Sequence, residues 1–244
     1  MRRTLVAAAA TMFAVGGVMA GATTQAAAAP CTKSASIIST SINPRTVVLG
    51  VANPKGVTVT TKVRTGCQID RVEVGLYGPN FVDTYDLRPV STRNGVTTYE
   101  TGLRISPGSL PNAEAGRWQS YVTAWGSPVA EAAGPAFQIK RAARLTTNAS
   151  PELVRAGHRI TVKGNLTRAS WDRLRYAGYG HKTVQLQWRA PNGSYQLVKR
   201  VTGAADGSVR TTVTAREDGC FRFVFEGNGT TGRVSAKGDC LDVR

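Results

Sequence analysis

Acidic side chains are scarce in this 244-residue chain, with 15 Asp and Glu against 31 Lys and Arg. None precedes Asp70. A glycosidase needs two facing carboxylates, and the close pairs here are Asp83 with Asp86 and Glu217 with Asp218. Adjacent strand residues point to opposite faces, so Glu217 and Asp218 converge only if a turn bends them. A calcium site wants several clustered oxygen ligands, and the same pairs are its slender basis. Histidine is scarcer still, with His158 and His181 alone. Neither lies in an H-E-x-x-H spacing, and no G-x-S-x-G elbow is present. Each follows a glycine, Gly157 or Gly180, at the start of a strand, where a solvated loop role suffices. Glycines are scattered between strands rather than gathered into a phosphate-cradling loop. Helical periodicity is missing, and beyond residue 20 no stretch approaches about 18 uncharged apolar residues. These absences argue against an enzyme, a metal or cofactor site, and a membrane span.

What is present begins with export. Arg2 and Arg3 precede an uncharged apolar run over residues 5–20, and an alanine stretch at 26–29 ends at Pro30. A charged start, a short apolar core and a small-residue exit describe a secretory signal peptide. It is placed at residues 1–28, because a cut after Ala29 would set Pro30 just beyond the scissile bond. Pro30 also stands where a lipoprotein needs a small residue before Cys31. The arginine pair lacks the preceding Ser or Thr and the downstream Lys of a twin-arginine signal, which favours general secretion. The expected location is extracellular.

An exported chain meets oxidising conditions, so its four cysteines are read as two disulfides. No C-x-x-C spacing suggests a metal or redox site. Of three possible pairings, the linear one, Cys31–Cys67 and Cys220–Cys240, gives each half one bridge. Strand-like alternation over residues 220–225 and 234–239 flanks a turn at Asn228-Gly229-Thr230-Thr231-Gly232. A turn symmetric about Thr230 sets Cys220 opposite Cys240, and cross-strand Cβ atoms lie about 4.5–5.5 Å apart.

Val and Thr are abundant, and Gly and Pro recur every eight to twelve residues or so, which is an all-β pattern. In the first half Val57, Val59 and Val63 alternate, as do Val72, Val74 and Leu76, then Tyr99, Leu103 and Ile105. Trp118, Ser120, Val122 and Ala124 form one strand face, with Tyr121, Thr123 and Trp125 on the other. One tryptophan should therefore be core, and the other exposed or covered by the interdomain linker. In the second half Ile160, Val162 and Leu166 alternate, then Val184, Leu186 and Trp188, then Phe221, Phe223 and Phe225. Asn94-Gly95, Asn192-Gly193 and Asp206-Gly207 read as turns. Two tandem sandwiches follow, over residues 29–140 and 141–244, with a short linker at 140–144.

Charge divides the halves. The chain carries +16, or +14 without Arg2 and Arg3. Residues 30–140 hold 11 basic and 7 acidic side chains, whereas residues 141–244 hold 18 and 8. A long connection at residues 166–183 collects Arg168, Trp171, Arg173, Arg175, Tyr176, Tyr179 and Lys182. Ser170 can cap a helical turn there, with Trp171 and Leu174 on one side. Aromatics mixed with cations can grip sugars, bases or phosphates. The competing role is a plug, Trp171 with Leu174, closing one end of the sandwich.

The segments RITVKGNLTRASW (159–171), HKTVQLQWRAPNGSYQLVKRV (181–201) and DGSVRTTVTAREDGCFRFVF (206–225) resemble an immunoglobulin-like β-sandwich domain recurrent in exported actinobacterial proteins. The resemblance covers residues 145–244 and implies a fold and no activity. The expectation is a secreted, non-catalytic binding or structural module, without cofactor, whose basic second domain meets an anionic envelope polymer. Nucleic acid is a less favoured partner. The alternative is a protein-recognition module, of inhibitor or adhesion type, using loops at one sandwich end. A calcium-binding extracellular protein is third.

Overall fold

The computed structural model describes residues 35–64 and 69–244. The expected signal peptide and the expected Cys31–Cys67 bridge lie outside the described residues.

β-Branched and aromatic residues at every second position form strands here, because alternate side chains can then be buried between two layers. The described residues of the first half form nine: β1 (Ser36–Asn43), β2 (Thr46–Leu49), β3 (Lys55–Arg64), β4 (Ile69–Tyr77), β5 (Val82–Arg93), β6 (Val96–Ile105), β7 (Gly116–Gly126), β8 (Ala130–Ala133) and β9 (Phe137–Arg141). One layer runs β1-β3-β6-β5 and the other β2-β9-β7-β4-β5, with β8 on β7. This is the immunoglobulin order, A-B-E-D against C-F-G. β5 serves both layers, pairing with β4 over residues 82–87 and with β6 over 88–93. Its register breaks between Pro89 and Ser91, where proline has no N–H to give a ladder. Asn94 and Gly95 take left-handed φ values of 52° and 71° and join β5 to β6, as the sequence predicts.

The second half has eleven strands: β10 (Ala143–Leu145), β11 (Asn148–Ser150), β12 (Leu153–Val154), β13 (Arg159–Ser170), β14 (Arg175–Gly178), β15 (Thr183–Arg189), β16 (Gln196–Thr202), β17 (Ser208–Thr214), β18 (Gly219–Phe225), β19 (Val234–Ser235) and β20 (Asp239–Val243). β13 is the spine of one layer, flanked by β10 and β11 on one side and by β14 and β17 on the other. The second layer runs β12-β20-β18-β15-β16, with β19 on β18. The fold is all-β; a three-residue 3-10 turn, Asn112–Glu114, is the only helical element among the described residues. No helix there is long and apolar enough to cross a membrane.

Two hydrophobic clusters form. The first includes Val57, Val59, Val72, Val74, Trp118 and Phe137. The second includes Ile160, Val162, Leu166, Leu186, Phe221 and Phe223. The alternation read from sequence sends these residues inward. Trp118 is buried, and its indole N–H donates to the Glu114 carbonyl at 3.0 Å. Trp125 is 40% exposed, so of the two alternatives exposure holds and cover by the linker does not. Its indole N–H donates to the Glu73 carboxylate, and Arg71 lies over its ring. Residues 140–144 are not a free linker either. Only Ala142 separates β9 from β10, because Arg141 bonds through its N–H to the Thr230 carbonyl and accepts from Gly232.

Cys220 and Cys240 are directly paired on β18 and β20, with Cα atoms 3.9 Å apart, and are bridged. The bridge joins neighbouring strands of one layer. Closing a loop of this length is worth about 3 kcal/mol. The C220S/C240S variant is expected to lose about that much in a denaturant titration, with a somewhat steeper slope because the freed denatured chain exposes more surface.

Candidate functional site

The segment expected to be a ligand-gripping loop is a β-hairpin. β13 pairs with β14 from Ser170–Arg175 to Thr167–Gly178, and residues 171–174 form its turn. The helical turn read from sequence is thereby corrected. Ladder bonds hold the flanking residues 167–170 and 175–178 extended, so residues 171–174 only reverse the chain, and the Ser170 hydroxyl accepts from the Asn112 side-chain amide at 3.1 Å instead of capping a helix. Leu174 takes a left-handed φ of 49°.

The hairpin tip docks on the other half. Trp171 is completely buried and belongs, with Ala169, to the first half's hydrophobic cluster. Its indole N–H donates to the Leu49 carbonyl at 3.2 Å, and its backbone N–H donates to Asn112 Oδ1 at 2.8 Å. Asn112 donates its backbone N–H to Asp172 Oδ1 at 2.9 Å and its side-chain amide to Asp172 Oδ2. Asn112 thus serves three consecutive residues, Ser170 to Asp172. Leu174 is 54% exposed, so the plug is Trp171 alone, and it fills the other half's core rather than its own.

Arg168, Tyr179 and Lys182 do come together. Arg168 lies 4.0 Å and Lys182 5.0 Å from the Tyr179 ring centroid. The ring itself is 8% exposed and meets Phe225 edge-on. The phenol oxygen accepts from Thr231 Oγ1 at 3.4 Å and Asn228 Nδ2 at 2.9 Å. Burial pushes the phenol pKa up, but these hydrogen bonds and the charges of Arg168 and Lys182 outweigh it and hold it below the ordinary value. Arg141 joins the same basic cluster, its Nε donating to the Ala169 carbonyl at 2.6 Å. Burial, then repulsion from Arg168, lowers its pKa to about 10. Tyr176 instead supports Arg144, 3.8 Å above its ring. Arg173 and Arg175 are exposed at the tip. With Trp171 and Tyr179 buried, the stacking faces expected of this segment are spent inside the protein.

His158 and His181 are exposed just before β13 and β15. No group of three or more metal-ligating side chains gathers among the described residues. Asp83 accepts from Tyr85 and Thr84, Asp86 faces Arg71, and Asp218 accepts from Val243.

Sequence reasoning missed Asn112, which reads as one more turn residue beside Pro111. It also missed a second cation–aromatic cluster, in which Arg189 and Arg222 both lie against Tyr195. Strand parity held a signal for it, since Arg189 and Arg222 alternate with the buried residues of β15 and β18.

No family model and no curated protein matches the chain. Similar solved structures include an amphioxus IgVJ-C2 molecule, 14% identical with a TM-score of 0.29, covering 81% of this chain and 98% of that one. The Escherichia coli adhesin FdeC is 13% identical with a TM-score of 0.34, covering 86% and 63%. Red sea bream transglutaminase is 10% identical with a TM-score of 0.37, covering 84% and 31%. The chain thus spans under two thirds of the adhesin and about a third of the transglutaminase. These likenesses assign it no activity, substrate or partner.

Removing the plug tests the junction. Trp171→Ala is expected to cost about 3–5 kcal/mol, and Asn112→Ala about 1–3 kcal/mol through stranded partners. Chemical denaturation followed by far-ultraviolet circular dichroism reads both, and a loss below about 0.5 kcal/mol for either would show that the docking contributes little.

Proposed function

We propose that this protein works outside the cell as a non-catalytic binding module of two tandem sandwiches, meeting near residue 140, whose second sandwich holds an anionic polymer of the cell exterior. The observation that carries this reading is charge left without a partner. Of the 18 basic side chains in residues 141–244, only Arg233 is ion-paired with a carboxylate, Glu226, at 2.8 Å. Elsewhere among the described residues Arg71 alone is so paired, with Glu73 and Asp86. A fold that only needed solubility would scatter both signs. Unneutralised cations on one half raise the local concentration of polyanions. The Cys220–Cys240 bridge and the leader-like first 28 residues support an oxidising, external compartment.

A second reading rests on a different surface. A cavity of about 240 Å³ at the first sandwich is lined by Leu76, Phe81, Leu103, Leu110, Trp118 and Phe137, among others. Phe81 and Val82 beside it are exposed. Such a cavity suits an apolar side chain of a protein partner.

Salt separates the two. On a column of phosphate-bearing polymer, retention is expected to fall at least about tenfold between ~50 and ~200 mM salt. Capture of a protein partner that is indifferent to salt and lost in Phe81→Ser would favour the second reading.

A further inference from the structure

The outer face of the second layer carries a prepared pair of guanidinium groups. On β15 and β18, Leu186, Trp188, Phe221 and Phe223 pack with the second cluster. The alternating residues Gln187, Arg189, Cys220 and Arg222 therefore face outward. In the ladder Gln187 stands opposite Arg222, and Arg189 opposite Cys220. Arg189 and Arg222 are thus diagonal neighbours, about 7–8 Å apart at the backbone. Tyr195, just past the Asn192-Gly193 turn, supports both. The guanidinium carbons lie 5.1 Å and 3.8 Å from its ring centroid. Its phenol end rests on Gly238, where any Cβ would collide with the phenol oxygen. The Cys220–Cys240 bridge fixes β18 to β20 beside it.

Two like charges share one ring, and no carboxylate lies within ion-pair distance of either. Arg222 donates its Nε to Gln187 Oε1 at 2.9 Å, and Gln187 donates in turn to Gln185. Arg189 Nε is buried without any acceptor, the one such side-chain atom among the described residues. An unpaired buried donor and mutual repulsion both cost stability. An anion received between the two groups relieves the repulsion.

We propose that Arg189, Tyr195 and Arg222 form a subsite for a single phosphodiester group; the inference rests on the polyanion-binding reading of this half. Guanidinium forks match phosphate oxygens in bidentate fashion. The two non-ester oxygens of a phosphodiester are set wider apart than those of a planar carboxylate, so each can take one guanidinium. The ring holds the forks in place before the ligand arrives, which lowers the ordering cost of binding. The surrounding cations then act on neighbouring repeats of the polymer.

The test is an NMR titration of the purified, disulfide-intact protein with dimethyl phosphate, reading the Tyr195 ring and Arg189 Nε–H signals. Saturable shifts at these two residues are expected, with acetate clearly weaker. R189K/R222K keeps the charge and loses the forks, and should weaken dimethyl phosphate about tenfold. K163A/R210A removes two exposed cations paired across β13 and β17 in the other layer, and should leave that affinity within about twofold. Absent shifts in the wild-type protein, equal binding of acetate, or equal loss in both variants overturns the subsite. Retention on poly(glycerol phosphate) is measured in parallel. Retention without shifts at Tyr195 and Arg189 sinks the subsite and leaves the broader reading standing. Shifts without retention do the reverse. Retention on single-stranded DNA stronger than on the polyol phosphate moves the source of the phosphodiester from envelope polymer to nucleic acid.

Discussion

Burial of Trp171 is the constraint on which the arrangement of the chain depends. The indole belongs to a cluster whose other fully buried members, apart from Ala169, all come from residues 35–139. It carries one N–H into that cluster and finds the Leu49 carbonyl there, so no polar group is stranded. Net folding stability is only about 5–15 kcal/mol. A single large side chain crossing the junction is therefore a sizeable share of it. Asn112 makes the crossing specific, since its amide and backbone together engage Ser170, Trp171 and Asp172. A tip displaced by one residue would break all of these contacts at once.

A docked hairpin changes what the surrounding charges can do. Arg141 and Arg168 are drawn close by the strands that carry them, and Arg141 is held charged less firmly than an exposed arginine. Tyr179 takes part of that charge onto its ring, and Asn228 and Thr231 fix its phenol end. Cations on the junction are thus committed to holding the fold. On the outer face of the second layer Arg189 and Arg222 rest instead on Tyr195, and Arg222 also on Gln187, all within their own half.

The clearest strands were legible because they obey period-two burial; Val57, Val59 and Val63, or Val184 and Leu186, need no partner to reveal their direction. The Cys220–Cys240 pairing was legible for the same reason, since a turn centred near Thr230 brings equal strand lengths together. The stretch after Leu166 was misread because local signals compete there. Ser170, Asp172 and Leu174 suit a helical start, whereas the deciding interaction lies some sixty residues away at Asn112. No local pattern marks a residue whose partner is that distant. Residues 140–144 misled through composition, as short basic and alanine residues look like linker until the Thr230 and Gly232 backbone is seen beside them. The aromatic content of 166–183 suggested stacking faces, and burial of Trp171 and Tyr179 consumed them.

In antibody domains the bridge passes through the core and ties one layer to the other. Here it links adjacent strands within one layer, with Cys240 exposed at the surface. The sulfurs occupy no space that the apolar side chains need. The layers can therefore assemble while the pair is still a dithiol, with oxidation acting as a seal on a sheet already formed.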